Sequence, residues 1–220
     1  MRNILAVVAL LAATSSNAAT ISWNTWTSAT PGQTTGTANG TAGAVGVSYL
    51  GEVQQLRTDV TWNPASTFSG GTVGNGPVQA NNSIRIIGGT GTGTNTITFS
   101  SAVTNPVLAI WSLGQPGTTA NFTFNVAPAA LSLQAGGPSV EYAGGPLTLL
   151  GNVVSGNEAN GVVQFAGTYS SISWTNPNAE DWYAFNVGSA VPEASSWAML
   201  IVGFGMVGVA ARRRKAVISA

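Results

Sequence analysis

The chain has 220 residues, of which 6% are charged, against about 25% in an ordinary soluble protein. It contains no cysteine and no histidine, which removes disulfides, thiol nucleophiles, Ser-His-Asp triads and the usual ligands of zinc, copper and haem. Its formal charge is zero, but five of the seven basic residues sit at the ends (Arg2, Arg212, Arg213, Arg214, Lys215), leaving Arg57 and Arg85 against Glu52, Asp59, Glu141, Glu158, Glu180 and Asp181; a body this acidic has no basic stripe for phosphates, so nucleic acid is excluded as a partner.

Residues 1–18 have the pattern of a secretion signal. Arg2 supplies a short positive region, Ile4 to Ala13 are uncharged and apolar, and Ser16 and Ala18 place small side chains at the −3 and −1 positions of a cut after Ala18. Ten apolar residues are about half of the roughly 20 that a stable membrane-spanning helix needs. The expectation is an N-terminal signal helix that is removed and a body, residues 19–190, that leaves the cytosol.

That body is dominated by Thr, Ser, Asn, Gly and Val. Short runs alternate with the period of a strand: Ile21–Trp23, Val45–Val53, Leu56–Trp62, Ser83–Ile87, Thr94–Phe99, Val107–Leu113, Asn121–Val126, Leu131–Gln134, Gly161–Phe165, Ser171–Trp174 and Trp182–Val187. Turn signals such as Gly136-Gly137-Pro138 and Gly144-Gly145-Pro146 separate them. No stretch of the body sustains a helical period with caps. The pattern predicts an all-β fold, an antiparallel β-sandwich of jelly-roll type. Thr27 to Ala44, nearly pure Thr, Gly, Ala and Asn, reads either as a mobile loop or as a poorly patterned edge. Gly88 to Gly93 reads as a hairpin loop, because a strand-like run follows it where a phosphate loop would need a helix.

At the far end, Trp197 to Ala211 are fifteen residues without a charge. As a helix they would extend about 22 Å at about 1.5 Å per residue, short of a hydrocarbon core of roughly 30 Å. With Ala194 to Ser196 included they make a marginal single transmembrane helix. Trp197 suits the outer interface and Arg212 to Lys215 the cytoplasmic side, with residues 216–220 as a cytoplasmic tail. Pro192 biases Val191 toward extended backbone, and an extended segment enters a processing enzyme's active site more readily than a helix. A permanent anchor is the alternative.

Pro192-Glu193, Trp197-Ala198, the Gly-rich apolar stretch and Arg212-Arg213-Arg214 together resemble the PEP-CTERM sorting signal in its PEPxxWA form. The resemblance covers residues 191–215 and departs from the family pattern at Ala194, where a second proline is usual. It implies an exosortase as processing partner, a transient hold in the inner membrane, and final placement on the cell surface or in an extracellular matrix. Its setting is Gram-negative bacteria that make extracellular polysaccharide.

Inside the body, Glu180-Asp181 is the sole adjacent acid pair. It reads as a solvated turn, or, with Asp59 or Glu158 brought close, as part of a Ca²⁺ site. Nothing spells a calcium loop, so no metal or other cofactor is expected. Two of the six acids facing each other across a cleft would permit glycoside hydrolysis. Trp23, Trp26, Trp62, Trp111, Trp174 and Trp182, with Tyr49, Tyr142, Tyr169 and Tyr183, would either fill the core or expose an aromatic platform for polysaccharide. Trp182 and Ala184 fall on one strand face and Tyr183 and Phe185 on the other, so a second layer, a partner or a ligand must cover one side. The expected function is that of a non-enzymatic surface or matrix protein associated with exopolysaccharide. The alternatives are a carbohydrate-binding module and, further off, a carbohydrate-active enzyme.

Overall fold

The computed structural model describes residues 18–91, 93–191 and 201–207. Fifteen strands form two antiparallel sheets. They are β1 (Ile21–Trp23), β2 (Thr25–Thr30), β3 (Gly32–Ala42), β4 (Val45–Val53), β5 (Gln55–Arg57), β6 (Ser83–Ile86), β7 (Thr94–Thr104), β8 (Val107–Leu113), β9 (Ala120–Phe124), β10 (Leu131–Pro138), β11 (Thr148–Leu150), β12 (Val153–Gly156), β13 (Ala159–Phe165), β14 (Thr168–Thr175) and β15 (Tyr183–Ala190). The seven-stranded sheet runs β10-β13-β8-β15-β6-β5, with β1 added alongside β15, and the eight-stranded sheet runs β11-β12-β9-β14-β7-β4-β3-β2. From β6 onward the chain passes back and forth between the sheets, which is how a sandwich closes over one core.

The core follows from strand alternation. Tyr49, Ile97, Phe122, Phe124, Trp174, Tyr183 and Phe185 point inward and belong to one apolar cluster between the sheets. Trp174 stands at its centre, packed against Tyr49, Phe122, Phe124 and Phe185 with ring centroids 5.3–6.0 Å apart. Every residue of β8 is buried. Leu108, Ile110 and Leu113 face the main cluster, while Val107, Ala109 and Trp111 face a second one on the outer side of the seven-stranded sheet. The cover there is the excursion between β5 and β6, which lays Val60, Trp62, Phe68 and Val73 over β8 and β15. This is the second layer that the two-sided apolar pattern of residues 182–185 requires.

Two local expectations change, and one open alternative is decided. The run Leu56–Trp62 is a strand only as far as Arg57; Val60 and Trp62 alternate like strand residues because they dock on the outer face of a sheet they do not join. Thr27 to Ala44 is an ordered edge, β2 and β3, the latter paired with β4 along most of its length. Its small side chains carry little apolar pattern because one face of these strands at the sheet's margin is solvated. Gly88 to Gly93 is not a hairpin: β6 and β7 lie in different sheets, and the loop crosses between them. Gly88, Gly89 and Gly91 take positive φ of 74°, 72° and 63° in that crossing, a conformation glycine enters without steric cost.

A short helix covers residues 201–207, within the expected span. Among the described residues no helix is long and apolar enough to cross a membrane. The signal helix (residues 1–17) and the rest of the expected transmembrane stretch (197–200 and 208–211) lie outside the described residues.

Candidate functional site

The strand β15 ties the two ends of the domain together and separates its two poles. At its end, Ile21, Ser22 and Trp23 pair with Ala190, Ser189 and Gly188, and the Val191 N–H donates to the Thr20 carbonyl at 2.8 Å. One residue earlier, Ala19 bridges Val73, its N–H donating to the Thr72 carbonyl and its carbonyl accepting from Gly74, both at 2.8 Å. Ala18 is exposed. The residue expected to end the leader and the residue preceding Pro192 therefore leave the fold side by side. Of the motif residues themselves, Pro192, Glu193, Trp197, Ala198, Arg212, Arg213 and Arg214 lie outside the described residues.

Next to this exit is a groove of about 620 Å³, spanning the gap between the sheets. It is lined by the β3–β4 turn (Ala42, Ala44, Val45), the end of β7 (Ala102, Val103) and the end of β15 (Ala190). Among the described residues no charged side chain lines it.

The opposite pole begins at Tyr183, about 23 Å away along a strand that rises about 3.3 Å per residue. Here Trp182 packs on Trp111 with centroids 4.6 Å apart, and Tyr142 meets Trp111 edge-on at 5.8 Å. The Arg57 and Arg85 guanidinium carbons lie 4.4 and 5.2 Å from the Trp182 ring centre, close enough for cation–π attraction. Arg57 also forms a two-pronged ion pair with Asp59, which holds the Asp59 carboxyl below its usual range and raises Arg57. Arg57, Asp59, Val60, Trp111, Glu141, Tyr142 and Trp182 enclose a small pocket of about 140 Å³.

Behind the pocket are two buried carboxylates. Glu158 accepts from the Ser112 hydroxyl, and Glu180 accepts from the Gly114 N–H at 2.6 Å while its second oxygen finds no partner. Burial is the main cause that raises both: Glu158 moves above its ordinary value, and Glu180, with Asp181 and Glu158 nearby, is pushed up to about 8. Among the described residues, four of the six non-glycine residues with positive φ, Trp62, Ser112, Ala143 and Glu158, flank this cluster. Left-handed backbone at such residues costs on the order of 1–3 kcal/mol and collects at functional sites.

The structure sorts the candidate residues accordingly. Glu180 is no solvated turn; it is buried, and only Asp181 beside it is exposed. Asp59 is committed to Arg57, and among the described residues no three acids gather in a way that could hold a metal ion. Glu52, buried at the β4 end, accepts from the Ile87 and Gly88 N–H groups at 2.9 Å each and from Asn176 at 3.1 Å, a structural clamp on the sheet-crossing loop. An extended tryptophan platform is absent among the described residues: Trp23, Trp26, Trp62, Trp111 and Trp174 are buried, and the Trp182 ring is engaged by two guanidiniums and Trp111. Of the tyrosines, Tyr49 and Tyr183 are core residues, Tyr169 is half-buried, and Tyr142 is exposed. Sequence reasoning missed the gathering of Arg57, Arg85, Glu141 and Glu158 around Trp111 and Trp182. Their scarcity in the chain was the available signal, since isolated charges in so uncharged a sequence invite the question of where they meet.

Comparison with known proteins adds a finding at one end of the chain. As a whole it matches no curated protein and no solved structure. Residues 190–215, starting at the last residue of β15, match the family model of the PEP-CTERM protein-sorting motif. The chain carries a PEP-CTERM sorting motif directly after the strand that closes its fold, and that motif marks it for export and for an exosortase.

Proposed function

We propose that this protein is a non-enzymatic component of the cell surface or extracellular matrix, whose β-sandwich is held to exopolysaccharide through the pole remote from the sorting motif. In this reading the leader is cut after Ala18. The stretch Trp197 to Ala211 holds the chain in the inner membrane with Arg212, Arg213 and Arg214 inside, and the exosortase acts at Pro192–Glu193.

The observation that supports the reading is the polarity of the domain. The sorting motif departs at Val191, whereas the aromatic and charged cluster around Tyr142 and Trp182 sits at the other end of β15. A domain tethered at the first pole presents the second outward. The exposed Tyr142 ring offers a face for sugar C–H groups, and the exposed carboxylates of Glu141 and Asp181 accept hydrogen bonds from hydroxyls. An enzymatic reading fits less well, because Glu158 and Glu180 are buried against Ser112 and Gly114, and Asp59 is locked to Arg57.

Co-sedimentation of the full chain with the producer's own polysaccharide tests the association. Native protein is expected to bind, and Tyr142→Ala to weaken binding at least tenfold with an unchanged unfolding midpoint. No binding by the native chain would reject the polysaccharide reading. Mass spectrometry of both termini tests the processing independently, with Ala19 expected first and a C-terminus near Pro192 that depends on the exosortase.

A further inference from the structure

We infer that the uncharged groove beside Val191 is a docking surface for the outward-facing side of the processing enzyme, which reads the folded domain together with the motif. The inference rests on the sorting motif and is independent of any glycan association.

Position supplies the first argument. Ala190 lines the groove and is the first residue of the matched motif region. Val191, also on the rim, is held by its hydrogen bond to Thr20. An enzyme acting at Pro192–Glu193 works one or two residues from a fixed backbone point, and each residue extends the chain by at most about 3.6 Å. Its surface must therefore lie against this pole of the domain.

Composition supplies the second. All eight charged residues between Ala18 and Val191 lie elsewhere, most of them around Trp182 at the far end of β15. The groove is lined by uncharged side chains, four alanines and three valines among them, with Ser22, Thr104, Asn105 and Ser189 as its polar members. Alanines leave a recess where larger residues would fill the gap between the sheets.

Shape decides between two apolar partners. Insertion into a bilayer surface calls for protruding apolar or aromatic side chains. Among the large hydrophobic residues that line the groove only Val191 is exposed, at 43%. A concave, neutral recess instead fits an apolar ridge or loop of a protein, with the shape complementarity of a protein interface.

The test uses the full chain and pulse–chase measurement of the processed C-terminus in cells with the exosortase. Ala44 and Ala102 are exposed on the groove wall, so the double variant A44E/A102E places two carboxylates there without entering the core. It is expected to slow processing at least tenfold while the unfolding midpoint stays within about 2 °C, a shift of less than about 1 kcal/mol for a domain of this size. A ten-residue Gly-Ser spacer between Val191 and Pro192 is expected to slow processing as well, because it uncouples groove and motif. Native rates for either variant would overturn the inference. The slowing is expected to persist with enzyme and substrate in detergent; its disappearance there would assign the groove to the bilayer and also overturn the inference. If the native chain is processed equally without the exosortase, the sorting reading itself falls, a result distinct from failure of the docking surface alone.

Discussion

Val191 and Thr20 are joined by a 2.8 Å backbone hydrogen bond, so the last residue before Pro192–Glu193 is fastened to the second residue after Ala18. The pairing of β1 with β15 continues this contact inward, with Ile21 and Trp23 buried in the outer cluster. Because β15 lies between β8 and β6, the seven-stranded sheet stays split until the last strand arrives. The domain completes its fold only when the chain has emerged as far as the sorting motif.

That geometry predicts that β1 matters more than its three residues suggest. Ile21→Ala is expected to cost about 2–4 kcal/mol, by lost burial and the cavity left behind. Urea titration followed by tryptophan fluorescence measures it; a loss below about 0.5 kcal/mol would contradict the packing described.

Glu180 predicts a pH dependence with a definite sign. Its folded-state value of about 8 lies above the ordinary 4.5, so the folded state binds the proton more tightly than the unfolded state. Stability is therefore fully present below about 4.5 and falls as pH rises toward 8, with a slope of at most about 1.4 kcal/mol per pH unit, which residual solvent access reduces. Glu158, raised for the same reason, acts in the same direction. Thermal unfolding of native chain and Glu180→Gln between pH 5 and 9 checks this: the variant, which keeps an acceptor for the Gly114 N–H, is expected to show the flatter profile.

Trp174 is the aromatic centre of the main core, touching rings from both sheets. Trp174→Ala is expected to destabilise by about 3–5 kcal/mol, and Trp174→Phe by less, since part of the volume remains. Chemical denaturation of the two variants gives the comparison.

The Glu52 clamp predicts an asymmetry between two substitutions. Glu52→Ala strands the part-buried Ile87 N–H and the buried Gly88 N–H, each lost partner costing about 1–3 kcal/mol, and leaves the Asn176 amide with the Tyr183 hydroxyl alone. Glu52→Gln retains one acceptor oxygen and is expected to lose less. Hydrogen exchange at Ile87 and Gly88 reports the effect locally, with faster exchange in the alanine variant.

Much of the fold was legible because strand alternation is a local property. Ile21–Trp23, Val45–Val53 and Val107–Leu113 appear with the bounds their sequence pattern implies, and the sandwich follows from many short strands between turn residues. Leu56–Trp62 misleads because alternation records burial on one side, and the outer layer over a sheet buries residues as a strand does. The edge strand β2, its neighbour β3, and the short β11 and β12 were less legible, since Thr, Gly and Asn on strands with a solvated face leave almost no hydrophobic signature.

The sequence by itself determined the sorting address at residues 190–215, because the motif is one contiguous stretch whose residue pattern is complete in the chain without any folded context. It also determined the absence of cysteine and histidine chemistry, which is a matter of composition. Only the tertiary structure decided that Thr20 lies beside Val191, that a neutral groove flanks the motif, and that Arg57, Arg85 and Glu141 meet around Trp111 and Trp182. These residues come from different strands and loops, brought together by pairing between segments far apart in the chain, and sequence spacing holds no record of such register.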